Sequence, residues 1–149
     1  LGQAERAAAL AARIDAGLAK ARAALARTKL RVLPLQRRGW VSGPATLTGA
    51  LIEAVGLGNA AAELGLGAGL GRLVGLETIV MLKPDALLVN AGGEAAEDQG
   101  RAMLKHPALA RTVPEARVIT LPEGLSTCGG PLVAEALDHL VKEVERLGL

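Results

Sequence analysis

Aromatic side chains are almost absent from this sequence. None of its 149 residues is Phe or Tyr, and Trp40 is the single Trp, so aromatics make up only 1% of the chain. The core must therefore be built from Leu, Val, Ile and Ala. Proteins that bind single-stranded nucleic acids stack bases on aromatic side chains, and the composition argues against that class.

Charge of one sign is not in excess either. Seventeen basic residues stand against 15 acidic ones, which gives a formal net charge of +2. The acidic residues leave no extended basic face, so we expect no nucleic-acid partner. The one basic patch comprises Arg27, Lys29, Arg31, Arg37 and Arg38.

Cysteine and long apolar runs are also scarce. The single cysteine, Cys128, excludes an internal disulfide and every metal motif built from several cysteines, and we expect it to be a small buried loop residue. No apolar stretch reaches the roughly 20 residues of a membrane span, and the N-terminus lacks the pattern of a signal peptide.

His106, which precedes Pro107, is predicted to be a capping or surface residue, and His139 to be solvated. No metal site is predicted.

The reactive side chains that catalysis requires are few and scattered. Two histidines, one cysteine and serines outside any nucleophile-elbow pattern offer no acid-base pair and no activated nucleophile. Glycines alternate between Gly65 and Gly71, but neither a GK[ST] motif nor a GxGxxG fingerprint is present. We therefore predict no catalytic residue, and an enzyme domain is the weaker alternative to a binding protein.

Apolar residues recur at helical or strand spacing along most of the chain. An Ala-rich first segment, Leu1 to Arg27, has the period of one long helix. Short apolar runs after it indicate buried parallel strands, and amphipathic segments between them indicate helices. The strands are predicted at 30–35, 86–90 and 117–121, and the helices at 46–55, 76–83 and from Pro131. This order predicts an α/β fold, a three-layer lobe with a small, mostly parallel sheet, preceded by the long helix.

The residues that follow the predicted strands are the candidates for ligand binding. In open α/β sheets, ligands lie beyond the carboxyl ends of the strands. Residues 36–44 are predicted to form the loop after the first strand, which contains Arg37, Arg38 and Trp40. Gly92 follows the second strand, so we predict that these four residues line a binding cleft. For Trp40, ligand contact and burial in the core both stay open. Arg72, in a glycine-rich segment expected to form a rim loop, is a further candidate, with a plain solvated residue as its alternative.

Four segments in this order and spacing resemble a known family. They are LIEAVGLGN at 51–59, LE at 76–77 followed by KPD at 83–85, KHPAL at 105–109, and CGGP at 128–131. Together they are similar to the periplasmic binding proteins that deliver cobalamin, haem or iron siderophores to ABC importers. The resemblance covers most of the chain.

The resemblance implies two α/β lobes joined by one long helix, with the ligand held between the lobes. Residues 1–28 would be the inter-lobe helix and residues 29–149 the C-terminal lobe, in the helical-backbone type of metal receptor. The ligand would be haem, a corrinoid or an iron siderophore, with no cofactor of the protein's own. The partners would be the membrane subunits of an ABC importer, and the location periplasmic or tethered outside the cytoplasmic membrane, with the export signal expected upstream.

Two further expectations follow from the same resemblance. Since the sequence has no tyrosine, a tyrosinate ligand to haem iron cannot come from this lobe. An apolar stripe of the first helix that the other lobe would cover is expected to favour a homodimer of the isolated chain. A small flavodoxin-like interaction domain is the alternative function.

Glu53 is the candidate for docking on the importer. It lies opposite the apolar side of the predicted helix Thr46–Val55, in the last turn, where the helix dipole disfavours negative charge. Exposure without function is the simple interpretation. The resemblance implies a role, because in these receptors a glutamate at the corresponding place is similar to the one that enters an arginine pocket on the membrane subunits.

Overall fold

A computed structural model describes residues 3–66, 69–91 and 102–148. The strands are β1 (Arg31–Pro34), β2 (Trp40–Ser42), β3 (Gly58–Asn59), β4 (Gly71–Leu73), β5 (Ala86–Ala91) and β6 (Val118–Pro122). The helices are α1 (Ala4–Leu25), α2 (Leu47–Ala54), α3 (Leu76–Leu82), α4 (Pro107–Thr112), α5 (Glu123–Thr127) and α6 (Val133–Arg146). Four strands form a parallel sheet in the order β3-β1-β5-β6, and β2 pairs with β4 in a small antiparallel sheet. The fold is α/β with a mostly parallel sheet, as predicted.

Helices cover both faces of the parallel sheet. Successive side chains of a strand point to opposite faces, so Val32 and Leu88 pack on one side while Leu33 and Leu87 pack on the other. The first side is covered by α1, α2 and α6, and the second by α3 and α4. Two apolar clusters therefore sandwich the sheet, which gives the three layers predicted from the sequence.

The long helix α1 is buried only near its C-terminal end. Ala21 and Leu25 are its buried residues, and it packs on α6. A Cβ added at Gly17 would lie 3.7 Å from the Cβ of Ala134, so the two helices approach closely there. Lys20 Nζ contacts Asp138 Oδ1 at 3.0 Å on the exposed side of this contact. Across the residues that the structure describes, no helix has the length and apolarity needed to cross a membrane.

The helix termini follow the signals in the sequence. Thr46 caps α2, its hydroxyl accepting from the Gly49 amide at 3.1 Å, and Gly56 follows the helix with φ 87°. Gly75 is the N-cap of α3, and Lys83 ends that helix in the left-handed conformation before Pro84. These local signals were sufficient to place both helices.

Three short strands were missed by the sequence analysis. The predicted loop 36–44 contains β2, and the glycine-rich segment 60–74 contains β4, so a simple rim loop was wrong for that segment. The third, β3, pairs with β1 through Gly58 and Asn59. Each has only two or three residues, and such strands are held by long-range backbone pairing that leaves no local periodicity to detect.

Side chains of α6 cover β6, the edge strand of the described sheet. The Thr120 amide donates to Glu143 Oε2 at 3.0 Å, and His139 Nε2 lies 2.9 Å from the Thr120 carbonyl oxygen. Arg146 Nη2 donates to the Val118 carbonyl oxygen at 2.7 Å. The prediction that His139 is solvated is wrong, because its ring is partly buried against this strand. The side chains occupy edge groups that would otherwise pair with another strand.

Candidate functional site

Three strands of the parallel sheet end on the same side, which we call the carboxyl edge. Gln36 follows β1 after one intervening residue, Asn90 is the penultimate residue of β5, and β6 leads directly into α5 at Glu123. Parallel strands bring these ends together. They enclose a pocket of about 110 Å³, here called the edge pocket, whose polar lining is Gln36, Arg37, Asn90 and Glu123.

Two polar atoms at the edge pocket lack hydrogen-bond partners within the described part of the chain. They are Gln36 Nε2 and Asn90 Oδ1, and both are buried. Their backbones are nevertheless well held, since the Gln36 amide donates to the Trp40 carbonyl oxygen at 2.7 Å and Asn90 lies in β5. None of Gln36, Asn90 and Glu123 was among the candidates predicted from the sequence. The available signal was their place, each at the carboxyl end of an apolar strand.

A tight turn, Arg37–Gly39, connects β1 to β2 and presents the two arginines. Arg38 has φ 60° and Gly39 has φ 79°, both in the left-handed region. At Gly39 only glycine fits, because an added Cβ would lie 2.6 Å from the Val74 carbonyl oxygen. Arg37 and Arg38 are exposed on this turn, and Arg37 also lines the edge pocket. The turn therefore places two guanidinium groups at the carboxyl edge.

Trp40 and Leu73 form an exposed apolar surface next to this turn, which we call the Trp40 surface. The two residues are direct cross-strand partners of β2 and β4, so their side chains lie on the same face. Trp40 is 40% exposed and Leu73 65% exposed. A Cβ at Gly71 would lie 3.1 Å from Trp40 Nε1, so the indole lies over this glycine. Trp40 is therefore no core residue.

Arg72 points away from the Trp40 surface. It is the strand neighbour of Leu73 and pairs with Val41, which places it on the opposite face of the antiparallel pair. Its Nη2 donates to the Leu64 carbonyl oxygen at 3.1 Å, and the residue is exposed. The structure thus does not bring Arg72 together with Trp40. Gly92, the remaining candidate, lies outside the described residues.

Glu53 is exposed in the last turn of α2, as expected. The Asn59 side-chain amide donates to Glu53 Oε1 at 3.3 Å, while Asn59 Oδ1 accepts from the Ala61 amide at 3.0 Å. Gly58, which follows this helix end, pairs with the first residue of β1. Glu53 therefore lies near the opposite edge of the sheet from the edge pocket, so a substitution there leaves the carboxyl edge untouched.

The remaining candidates have structural explanations. His106 is the N-cap of α4, where its Nδ1 accepts from the Ala108 amide at 3.2 Å, which confirms the predicted capping role. Cys128 is exposed, so the prediction that it is buried is wrong, because the loop after α5 runs over the surface. In the described ranges, no group of three or more His, Cys, Asp or Glu side chains is placed to hold a metal ion.

Comparison with known proteins defines the class of this molecule. The sequence profile described as "periplasmic binding protein" matches residues 1–125. The chain therefore belongs to the periplasmic binding protein family, which confirms the resemblance seen in the sequence. A search of curated proteins found no match.

Several solved structures are similar to this chain. The periplasmic haem-binding protein RhuT from Roseiflexus sp. RS-1 is 30% identical, with a TM-score of 0.75, over 100% of this chain and 59% of that protein. The periplasmic haem-binding protein BhuT, in complex with two haems, is 27% identical, with a TM-score of 0.70, over 94% and 56% of the two chains. A siderophore periplasmic binding protein from Thermobifida fusca, 18% identical with a TM-score of 0.74 over 99% and 56%, shares the fold. The chain spans somewhat more than half the length of these proteins.

Proposed function

We propose that this chain is the connecting helix and C-terminal lobe of a two-lobed receptor of an ABC importer. The receptor captures a metal chelate, namely haem, a corrinoid or a ferric siderophore, outside the cytoplasmic membrane. The observation that carries the proposal is the exposed Trp40 surface beside Arg37 and Arg38 at the carboxyl edge, in a chain of this family. A flat apolar surface flanked by guanidinium groups suits a large chelate that carries anionic groups.

In this proposal, residues 1–28 join the lobes and residues 29–149 bind the ligand from one side. The burial of α1 supports the division, because Ala21 and Leu25 pack into the lobe while Ala7 and its neighbours near the N-terminal end are exposed. The second lobe would supply the remaining ligand contacts, including any tyrosinate to a haem iron. Arg72, although it lies on the face opposite the Trp40 surface, and Gly92 stay secondary candidates for ligand contact.

Glu53 is proposed to dock the receptor on the membrane subunits of the importer. Its exposure and its distance from the edge pocket support a role separate from ligand binding. The Asn59 amide orients the carboxylate through the bond to Oε1, so the charge is held at a defined position rather than on a free side chain. An arginine pocket on the partner would match a carboxylate presented in this way.

The docking role is tested by Glu53→Arg in the intact protein that carries this chain, with Glu145→Arg on the exposed face of α6 as the matched control. We expect Glu53→Arg to leave folding and ligand affinity near wild type while it cuts transport and stimulated ATP hydrolysis. Glu145→Arg should leave all four unchanged. Undiminished transport by Glu53→Arg, at matched expression, would rule the docking role out.

A further inference from the structure

The backbone of Trp40 is held on both sides, so the position of its indole is well defined. Its amide donates to the Arg37 carbonyl oxygen, and its carbonyl oxygen accepts from the Gln36 amide at 2.7 Å. The ring lies over Gly71, which has no side chain in its way, since a Cβ there would lie 3.1 Å from Trp40 Nε1. Trp40 is still 40% exposed. A ring that rests on a strand with this exposure offers its outer side to a ligand.

Arg38 supplies an unpaired positive charge beside this ring. Only Gly39 separates it from Trp40, and two residues of backbone span at most about 7 Å. Within the residues that the structure describes, the exposed Arg38 side chain makes no hydrogen bond, ion pair or ring contact. Its φ of 60° is uncommon for a residue other than glycine, and such backbone strain is typical of functional turns. The guanidinium is therefore available to pair with an anionic group next to the indole.

These two groups favour one of the chelates in the proposed function. A porphyrin is flat and conjugated, so its face can stack on an indole, and haem carries two carboxylates at one edge that can pair with a guanidinium. A corrin ring is puckered, has substituents on both faces, and its side arms end in neutral amides. Hydroxamate siderophores have no aromatic ring in the chelate, and the three rings of a catecholate complex lie at angles to one another and form no single broad face.

The histidines of this chain are engaged away from the Trp40 surface. His106 Nδ1 accepts from the Ala108 amide at the start of α4, and His139 Nε2 lies 2.9 Å from the Thr120 carbonyl oxygen. Tyrosine is absent from the sequence. Histidine and tyrosine, two of the side chains that commonly bind haem iron, are therefore not available at this surface. We expect this lobe to contact the ring and its carboxylates, and the iron to be bound from the other lobe.

We propose that this lobe selects a flat tetrapyrrole with carboxylates, by stacking on Trp40 and pairing with Arg38, and that this selection does not depend on the iron. The inference rests on the proposed function and narrows its ligand class to haem. It has a consequence of its own. Metal-free protoporphyrin IX has the same ring and carboxylates as haem, so a change at either residue should weaken the binding of both by the same factor.

The test is an equilibrium titration of the intact protein with haemin, protoporphyrin IX, cyanocobalamin, ferrioxamine B and ferric enterobactin. Trp40→Leu removes the aromatic face and Trp40→Phe keeps one. Arg38→Gln removes the charge, and Arg111→Gln, exposed in the last turn of α4, is its matched control. We expect Trp40→Leu to weaken haemin and protoporphyrin IX alike by about 5–150-fold, and Trp40→Phe to weaken them less. Arg38→Gln should weaken both by about 3–30-fold, and Arg111→Gln neither.

The outcomes separate this inference from the proposed function. If the intact protein binds none of the five compounds, the proposed function itself fails. Preferred binding of cyanocobalamin or of either siderophore complex agrees with the proposed function but overturns the selection of a tetrapyrrole. The inference is also overturned if Trp40→Leu binds haemin as tightly as the wild type, if protoporphyrin IX does not bind, or if the substitutions weaken haemin alone.

Discussion

Removal of the Glu143 carboxylate should destabilise the fold by uncovering the edge of β6. Glu143 Oε2 accepts from the Thr120 amide at 3.0 Å and from Arg146 Nη2 at 3.1 Å, and Oε1 accepts from Arg146 Nε at 3.2 Å. Glu143→Ala leaves the Thr120 amide without its partner. It also removes the anion that holds Arg146 over the Val118 carbonyl oxygen.

The expected loss can be worked out from these contacts. A hydrogen bond to a charged group contributes about 1.5–3 kcal/mol, and an ion pair that solvent still screens on the arginine side, as in Glu143–Arg146, adds at most about 1 kcal/mol. We expect Glu143→Ala to lower the free energy of unfolding by about 1.5–4 kcal/mol in total. For a domain of this size that corresponds to a fall in Tm of roughly 3–16 °C.

The effect should depend on pH in a defined direction. Burial raises the pKa of Glu143, but the hydrogen bonds from Arg146 and from the Thr120 amide outweigh it, so the pKa lies below its ordinary value. A carboxyl whose pKa is lowered by folding contributes stability above its unfolded pKa and loses it as the pH falls through the folded pKa. The difference between wild type and Glu143→Ala should therefore be full at neutral pH and shrink in acid.

Urea titrations of wild type, Glu143→Ala and Glu143→Gln at neutral and acidic pH measure this effect. Glu143→Gln keeps an oxygen for the Thr120 amide and should lose less than the alanine variant. Glu145→Ala, on the exposed face of the same helix, is the control and should change stability by less than about 0.5 kcal/mol. If Glu143→Ala behaves like Glu145→Ala at neutral pH, or its effect does not shrink in acid, the role of Glu143 at the edge is refuted.

Three further predictions concern the other side of the lobe and the candidate cleft. Arg31→Met should lower stability by about 1–2 kcal/mol, because Arg31 donates to the carbonyl oxygens that end α3. The same substitution should raise the pKa of Glu63, which the hydrogen bond from Arg31 holds below its ordinary value. An NMR titration of Glu63 that shows no rise in this pKa would contradict the prediction. Gly39→Ala should lower stability in a thermal melt by at least about 1–3 kcal/mol, because its φ is left-handed and an added Cβ would lie 2.6 Å from the Val74 carbonyl oxygen. Gly124→Ala, with open space around the added Cβ, should cost nothing. Saturation of the intact protein with its chelate should quench Trp40 fluorescence, and an unchanged spectrum would count against ligand contact.

Much of the layered fold could be predicted because its signals are local. Some signals involve only a few neighbouring residues, so periodicity and capping rules identify them. Examples are the apolar run Ala86–Ala91, the helix stop at Pro84 and the helix cap at Thr46. The pairing of Trp40 with Leu73 joins residues 33 positions apart in the sequence, and no short sequence pattern indicates it. This is why β2 and β4 were mistaken for loops.

The candidate site was predictable only in part, for a related reason. Arg37, Arg38 and Trp40 could be named because they follow a recognisable strand. Gln36 and Asn90 follow the same rule, but what distinguishes them among the described residues is that each has one buried side-chain amide atom without a hydrogen-bond partner. That property arises from the meeting of β1 and β5 in space, and a single residue in a sequence does not reveal it.

Calorimetric titration of the intact protein with haemin, cyanocobalamin and a ferric hydroxamate tests whether this chain is one half of a two-lobed chelate receptor. We expect saturable binding of one chelate at a single site. We also expect clearly weaker binding by residues 1–149 alone, since a ligand held between two lobes loses about half its contacts in one of them. Absence of binding by all three chelates, or equal affinity of the isolated chain and the intact protein, would contradict it.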